Sequence, residues 1–299
     1  MSSRFIKDGE SKHSSRLVKA VEDLTKECYI QKPDGVYGAV ARVNCGGVTM
    51  LSQDLDIEFT VPFDDNMEAN EAEIIIYNLT NDTINKFKRG SVCSIEAGYR
   101  GDTGVIFKGF VDRVRTTYEG ADKITRIICL DDITEHTLTN YSCEGGTSRE
   151  ILKELIAKTG LPLAVFKPRY EDYAYDTTQV LDGNLMEFIR KYAEVCGISV
   201  YVNKGQIYAR HIKDGDNISF TVSENTGMIG SPTEFEEEQQ AEDFKETVHG
   251  FNIQMLLQHR ITTASIVKLS SMIANGSYRV RSGKHIFNQS EAITEIEVI

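Results

Sequence analysis

The residues that could do chemistry are many but dispersed. Six histidines stand at 13, 136, 211, 249, 259 and 285. No His-Glu-x-x-His run joins any two of them, so no helix offers zinc two imidazoles on one face. Six cysteines stand at 28, 45, 93, 129, 143 and 196, with no Cys-x-x-Cys pair. Long, irregular gaps of this kind suit buried thiols in a reducing cytosol better than zinc ligands or a disulfide framework. Gly146-Thr147-Ser148 lacks the second glycine of a nucleophile elbow. Between Gly276 and Lys284 the glycines are separated by six residues where a phosphate loop has four. A strand pattern also follows there, where the phosphate-binding helix belongs. Gly98, Gly101 and Gly104 read as turn glycines of a hairpin, not as a dinucleotide fingerprint. Asp64-Asp65 and Asp131-Asp132 are adjacent carboxylates, but among 45 acidic residues such pairs arise by chance. A glycosidase needs two carboxyls held about 5–10 Å apart across a cleft, which spacing alone does not supply. The expectation is therefore of no catalytic residue, no metal site and no cofactor.

Composition narrows the function further. The chain has 299 residues and 33.5 kDa, with 33 basic against 45 acidic side chains, a net charge of −12. A protein that holds nucleic acid by neutralising phosphates carries a basic excess, so sequence-specific binding of DNA or RNA is not expected. With 40% hydrophobic residues there is material for a packed core. No apolar run approaches 18 residues, so no membrane span is predicted. Residues 1–12 are polar and lack the apolar centre of a signal peptide.

The elements that would position any site follow from periodicity. Leu17, Val21, Leu24 and Cys28 form one apolar stripe of a helix capped by Ser14 or Ser15. That helix docks either on its own domain or on a partner. Lys32-Pro33-Asp34-Gly35 ends the extension as a turn. From Tyr37 the period is two. Strands are predicted at 38–43 and 48–51 around Asn44-Cys45-Gly46-Gly47, at 55–61, at 74–76, at 92–99, at 105–118 and at 123–130. An acidic loop spans 64–71, and a short helical piece spans 82–88. This is the pattern of a small antiparallel barrel or sandwich.

At Gly145 the pattern becomes helical. Thr147 and Glu150 form a capping box ahead of Ile151, Leu152, Leu155 and Ile156, and Gly160 stops the helix. A loop with Tyr170, Tyr173 and Tyr175 occupies 168–182. A second helix starts near Asp182 or Asn184 and ends at Gly197. Asn203-Lys204-Gly205 joins a second hairpin, 198–202 with 206–210. After Ile218 the chain is β again: 227–232 reads as a turn-rich join, and 234–246 as either a solvated acidic strand and loop or an excursion. Strands follow at 251–257, 264–270, 277–286 and 292–298.

The last strands echo the first region. Ser91-Val92 and Ile95 match Ser265-Ile266 and Leu269; Gly104 matches Gly276; Ile124-Thr125-x-Ile127 matches Ile293-Thr294-x-Ile296. The order is the same, with offsets drifting from 174 to 169. A duplicated β unit is the expectation. The fold class is thus α+β and mainly β: two tube-like antiparallel β-barrel domains with an inserted α/β module. The divisions are 1–36, an N-terminal helical extension; 37–142, the first barrel; 143–212, the α/β module; and 213–299, the second barrel.

Three stretches carry a resemblance. The first reads Ile75-x-Tyr77-Asn78-Leu79-Thr80, Thr83-Ile84-Asn85, Lys88-Arg89-Gly90, Ala97-Gly98-Tyr99, Gly101-Asp102, Ile106-Phe107-x-Gly109 and Tyr118-Glu119-Gly120-x-Asp122-Lys123-Ile124-Thr125. The second is Gly227-Met228-Ile229-Gly230-Ser231-Pro232-Thr233. The third comprises Ser265-Ile266-Val267-Lys268-Leu269, Gly276-Ser277-Tyr278-Arg279-Val280, Ser282-Gly283-Lys284-His285 and Thr294-Glu295-Ile296-Glu297-Val298. Over residues 37–299 the sequence resembles baseplate hub proteins of phage tails and of contractile phage-tail-like bacteriocins; residues 1–31 lie outside the resemblance. The resemblance implies a structural, non-enzymatic homotrimer that adapts a sixfold tail tube to a threefold central spike and forms part of the ejection channel. It implies the tail tube protein and the spike as partners, with a tape-measure protein and other baseplate proteins beside them. DNA would be passing cargo only, and no stable membrane insertion is implied. The place implied is a virion tail baseplate or a bacteriocin particle, assembled in the bacterial cytoplasm.

An acidic balance fits such a channel, because carboxylates lining it would repel DNA. Some of Asp64, Asp65, Glu68 and the 234–246 run are expected to face the lumen or the rim between subunits. The alternative reading is a tail-tip protein that binds cell-wall glycan through 143–212, its tyrosines stacking on sugar, or that degrades peptidoglycan.

Overall fold

The computed structural model describes residues 38–132, 137–143, 146–241 and 244–299, without the side chains of 140, 238–241 and 244–247. The predicted N-terminal helix and the 32–35 turn lie outside the described residues, as does the 1–36 extension to which they belong.

Among the described residues twenty strands and three α-helices follow one another, with a 3-10 turn at Glu224–Thr226. The first region holds β1 (Ala39–Cys45), β2 (Val48–Leu51), β3 (Ile57–Phe63), β4 (Glu71–Tyr77), the single-turn α1 (Asn81–Ile84), β5 (Val92–Tyr99), β6 (Asp102–Glu119) and β7 (Asp122–Leu130). The middle holds β8 (Thr137–Cys143), β9 (Gly146–Thr147), α2 (Ser148–Lys158), β10 (Leu163–Phe166), β11 (Ala174–Tyr175), β12 (Gln179–Asn184), α3 (Leu185–Val195), β13 (Ser199–Asn203) and β14 (Gln206–Arg210). The last region holds β15 (Asp216–Val222), β16 (Met228–Ala241), β17 (Phe244–Leu256), β18 (Ser265–Ser270), β19 (Asn275–Phe287) and β20 (Ala292–Val298). The protein is mainly β with antiparallel sheets, as the sequence reading expects.

Local chemistry explains most of these boundaries. Gly46 and Gly47, with φ +54° and +77°, make the two-residue turn between β1 and β2. The turn is shorter than expected, because Asn44 and Cys45 still pair with Thr49 and Val48. Lys204 and Gly205 do the same between β13 and β14. Thr147 Oγ1 accepts from Glu150 N while Thr147 N donates to the Glu150 carboxylate, the expected capping box of α2. Asn184 caps α3 by accepting from Met186 N at 2.8 Å.

Two expectations are corrected. The tyrosine-bearing stretch 168–182 is not all loop: Gln179–Asn184 is β12, paired antiparallel with β8. Its apolar residues are too few for a period, and its partner strand holds it. Residues 227–232 are not merely a join either. They begin β16, whose register shifts between Ile229 and Thr233 as a bulge at Gly230-Ser231-Pro232. The acidic stretch continues that strand, so 228–241 and 244–256 form one long ribbon.

The sheet connects the first and last regions. Thirteen strands belong to one sheet, whose path runs β16-β17-β20-β19-β3-β4-β7-β6-β5-β1-β2, with β18 joined to β19 and β15 to β18. Two runs within it have one order: β3-β4-β7-β6-β5-β1 and β16-β17-β20-β19-β18-β15. They differ in the final pair, which is antiparallel for β1·β5 and parallel for β15·β18. The Ile-Thr-x-Ile match falls in register, whereas Gly276 faces Leu269 and Gly104 faces Ala97, not Ile95. Thr125 and Thr294 are both fully buried, opposite Ile76 and Met255.

Three cores form. One is built from β1 to β7 and is completed by Leu257, Phe287 and Ala292 from the last region. A second packs α2 and α3 on the β13–β14 hairpin. The third lies within the last region and takes in Phe63 from β3.

Candidate functional site

Among the described residues no group of three or more His, Cys, Asp or Glu side chains is placed to hold a metal. Among the same residues no helix is long and apolar enough to cross a membrane. The arrangement that sequence reasoning missed is a junction, where the first region, the α/β module and the last region meet through polar and aromatic contacts.

Its centre is the β3·β19 seam, with Phe59 opposite Phe287, Val61 opposite His285 and Phe63 opposite Gly283. Strand β3 buries alternate residues, Ile57, Phe59, Val61 and Phe63, so its inner face is wholly apolar. Phe59 stacks on Phe287 at 5.1 Å between ring centroids, tilted by 13°. Phe63 meets the His285 ring at 5.0 Å. Gly283 has to be bare: a Cβ there would lie 2.4 Å from the Glu295 carbonyl oxygen and 2.6 Å from Phe63. His285 is buried and shares a 2.9 Å hydrogen bond through Nδ1 with Thr294 Oγ1. Burial lowers its pKa to about 3, and Lys204 adds to the effect, so the ring is neutral.

Charged contacts lock the edges. Arg279 donates from Nη1 to Asp65 at 2.7 Å and from Nε to the Asp214 carbonyl at 3.0 Å. Both members of the ion pair are largely buried, at 4% and 14% side-chain exposure. Arg210, at 1% exposure, holds Asp216 at 2.8 Å and stands against the rings of Tyr201 and Tyr208. Asp131 accepts from Asn70 N and Nδ2 at 2.8 and 2.9 Å. Burial raises its carboxyl pKa to about 6 in spite of those bonds. Lys204 reaches from the β13–β14 turn to the Val105 carbonyl at 2.8 Å. Arg260 pairs with Asp102, at 2.7 Å from Nη1, and holds that carboxyl below its ordinary range.

The acids expected at a lumen or rim separate into two groups. Asp65 faces Arg279 and is engaged. Asp64 accepts from Asn66 N and Nδ2, and its own carbonyl accepts from Thr263. Glu68, Glu234, Glu236 and Glu237 are exposed; Glu236 pairs with His249 at 3.2 Å, and Glu237 pairs with Arg281. Gly104, expected in a turn, lies inside β6 with the His259 ring where a Cβ would stand. Of the loop tyrosines, Tyr170 and Tyr173 are exposed, while Tyr175 turns inward, edge-on to Tyr192 at 5.6 Å. The one sequence signal for Arg279 and His285 was polarity at strand positions whose neighbours alternate apolar.

Residues 39–286 match the family model for Baseplate hub gp41. No curated protein matches the chain in sequence. Solved structures share the fold at low identity. The 43 kDa tail protein of prophage MuSo2 from Shewanella oneidensis has a TM-score of 0.64 at 9% identity, over 87% of this chain and 96% of that one. A tail protein from Neisseria meningitidis has a TM-score of 0.61 at 11% identity, over 88% and 96%. An E. coli component of the type VI secretion system has a TM-score of 0.57 at 10% identity, over 82% and 73%.

Proposed function

The chain belongs to the baseplate hub gp41 family, and from that premise we propose that this structural tail component is a homotrimeric hub. Three copies would present six near-equivalent β units to a sixfold tail tube and a threefold base to a central spike. In this reading the units are 37–142 and 213–299, with 143–212 inserted between them. The observation that carries this reading is the common strand order of β3-β4-β7-β6-β5-β1 and β16-β17-β20-β19-β18-β15. A chain with two such units needs only a threefold axis to make a quasi-sixfold ring.

The role is architectural, without catalysis. The junction residues spend their polar groups on holding one another, as Arg279 with Asp65 and Asn70 with Asp131 do. The exposed carboxylates Glu68, Glu234 and Glu236 would face the channel or its rim, where negative charge keeps DNA or a tape-measure protein from sticking. Its place is the virion tail or a bacteriocin particle.

Light scattering across a concentration series tests the reading. A species near three times 33.5 kDa is the expected result, and a monomer at every concentration would overturn the trimer. Replacing Glu68 with lysine is expected to slow ejection from assembled particles.

A further inference from the structure

Several strand edges of the large sheet are open among the described residues, those of β2 and β15 included, and two others answer each other. Strand β6 pairs with β7 over residues 110–119, whereas β5 departs at Phe110, which leaves 113–119 open on one side. Strand β16 pairs with β17 and with nothing beyond it. An open edge with a full row of backbone donors and acceptors is a template for another strand.

The seam inside the chain indicates what each edge fits. In the common strand order β3 corresponds to β16, and β19 corresponds to β6. Within the chain β3 pairs with β19; the complementary pairing, β16 with β6, is not made. Register can be carried across strand by strand. Through β20 and β7, Gly283 corresponds to Val114, Lys284 to Arg115, Ile286 to Thr117 and Phe287 to Tyr118. Through β17 and β4, Thr60 corresponds to Thr233 and Phe63 to Glu236. Phe63 faces Gly283 and Thr60 faces Ile286 in the existing seam. The transferred pairs are therefore Glu236 with Val114 and Thr233 with Thr117.

Burial supports the transfer. Phe287 is 4% exposed because it caps the first core across the seam; its counterpart Tyr118 is 70% exposed. The turns show the same asymmetry. Tyr99 donates to the Ala292 carbonyl at 3.0 Å, and Asp102 takes Arg260, so the turn after β5 docks on the last region. The corresponding turn after β18 presents Met272 and Ile273, 96% and 60% exposed, to nothing. Residues Asn81, Ile84, Asn85, Thr116 and Tyr118 line a concavity of about 310 Å³ at the corresponding docking place. One charge pair is opposite as well: in this register exposed Glu237 on β16 stands against exposed Arg113 on β6.

We propose that a second copy of this chain closes both edges: β16 of one protomer pairs antiparallel with residues 113–118 of β6 in the next. In that contact Thr233 faces Thr117, Tyr118 caps the neighbour's third core, and Met272 and Ile273 seat beside the neighbour's Ile84. The contact rests on the trimer reading and gives it a register.

The test is a cysteine pair, Thr233→Cys with Thr117→Cys, oxidised in the full chain and run without reductant. The expected result is a ladder that ends at a covalent trimer, with neither single variant cross-linking. Tyr118→Glu is the second arm. It alters an exposed side chain, so the circular dichroism spectrum and melting temperature should hold while the trimer dissociates at least tenfold more readily. A native trimer that fails to cross-link, or that tolerates Tyr118→Glu, overturns this contact and leaves the trimer standing. A wild-type monomer at every concentration overturns both.

Discussion

Arg279 and Asp65 are separated by 214 positions in the chain, yet their side chains meet at 2.7 Å with little water around either. The loop after β3 is thereby tied to the strand that pairs with β3. Breaking a buried pair from one side leaves the other charge uncompensated, which costs about 3–5 kcal/mol. Asp65→Ala is therefore expected to lower unfolding stability by about that amount in urea titration. Replacing both residues, with Met at 279 and Leu at 65, should recover most of the loss. A double variant as unstable as the single one would show that the Asp214 carbonyl, not Asp65, is the partner that matters.

Gly283 admits no side chain. In Gly283→Ala the new methyl would press on the Glu295 carbonyl and the Phe63 ring. Overpacking of this kind costs about 1–3 kcal/mol. Because the strain sits in the seam, the urea midpoint should fall, and amide exchange should quicken at residues 59–63 before it quickens in α2 or α3. Uniform exchange across the molecule would contradict this.

Phe287→Ala removes a ring from the first core although the residue belongs to the last region. Loss of a buried phenylalanine costs about 3–5 kcal/mol. Phe287→Leu, which refills much of the volume, should cost less than half as much. Thermal unfolding of the three proteins orders them; equal melting temperatures for Ala and Leu would place the stabilisation elsewhere than in packing.

Acid acts on His285 and Asp131 with opposite signs. The native His285 ring, its pKa lowered to about 3, stays neutral as the pH falls below about 6.5, while the unfolded ring takes a proton. Stability from this group is thus lost on acidification, at about 1.4 kcal/mol per pH unit, until the pH reaches about 3. Asp131, raised to about 6, takes its proton first in the native state, so its contribution grows as pH falls from about 6 towards 4. In wild type the two oppose each other across that window. His285→Gln is expected to remove the first effect, so its stability relative to wild type should climb between pH 6 and 4. A constant difference would show that the ring is not held neutral.

Asn70 donates twice to Asp131 and once, at 3.4 Å, to the Val202 carbonyl. Only the Nδ2 bonds are lost in Asn70→Ala, which leaves a buried carboxylate oxygen short of a donor at a cost of about 1–3 kcal/mol. The Asp131 pKa should rise further, visible in a carboxyl chemical-shift titration. An unmoved titration would separate Asn70 from the control of that group.

Features written in short range were legible from the sequence. Gly46-Gly47 and Gly205 mark hairpins because positive φ favours glycine, and Lys204 takes φ +52° beside Gly205. Thr147 with Glu150, and Asn184, mark helix starts because their side chains replace missing intrahelical partners. The matching Ile-Thr-x-Ile runs marked corresponding strands, and the strand order agrees. What was not legible depends on distant partners. Gln179–Asn184 is a strand only because β8 lies beside it. Met228 and Ile229 pair through a bulge that their glycine and proline conceal. Nothing near Phe59 announces Phe287, and the roles of Arg279 and His285 follow from that pairing.

The seam also sets a timetable for the nascent chain. The first core includes Leu257, Phe287 and Ala292, so its residues leave the ribosome long before the last pieces exist. At roughly 5–20 residues per second, the open edge of β3 and the uncovered face of Phe59 wait on the order of ten seconds or more for β19. Contacts of such sequence separation close slowly, and an unpaired edge left exposed meanwhile invites association with other chains. Truncation before residue 283 should yield a first region that aggregates rather than folds.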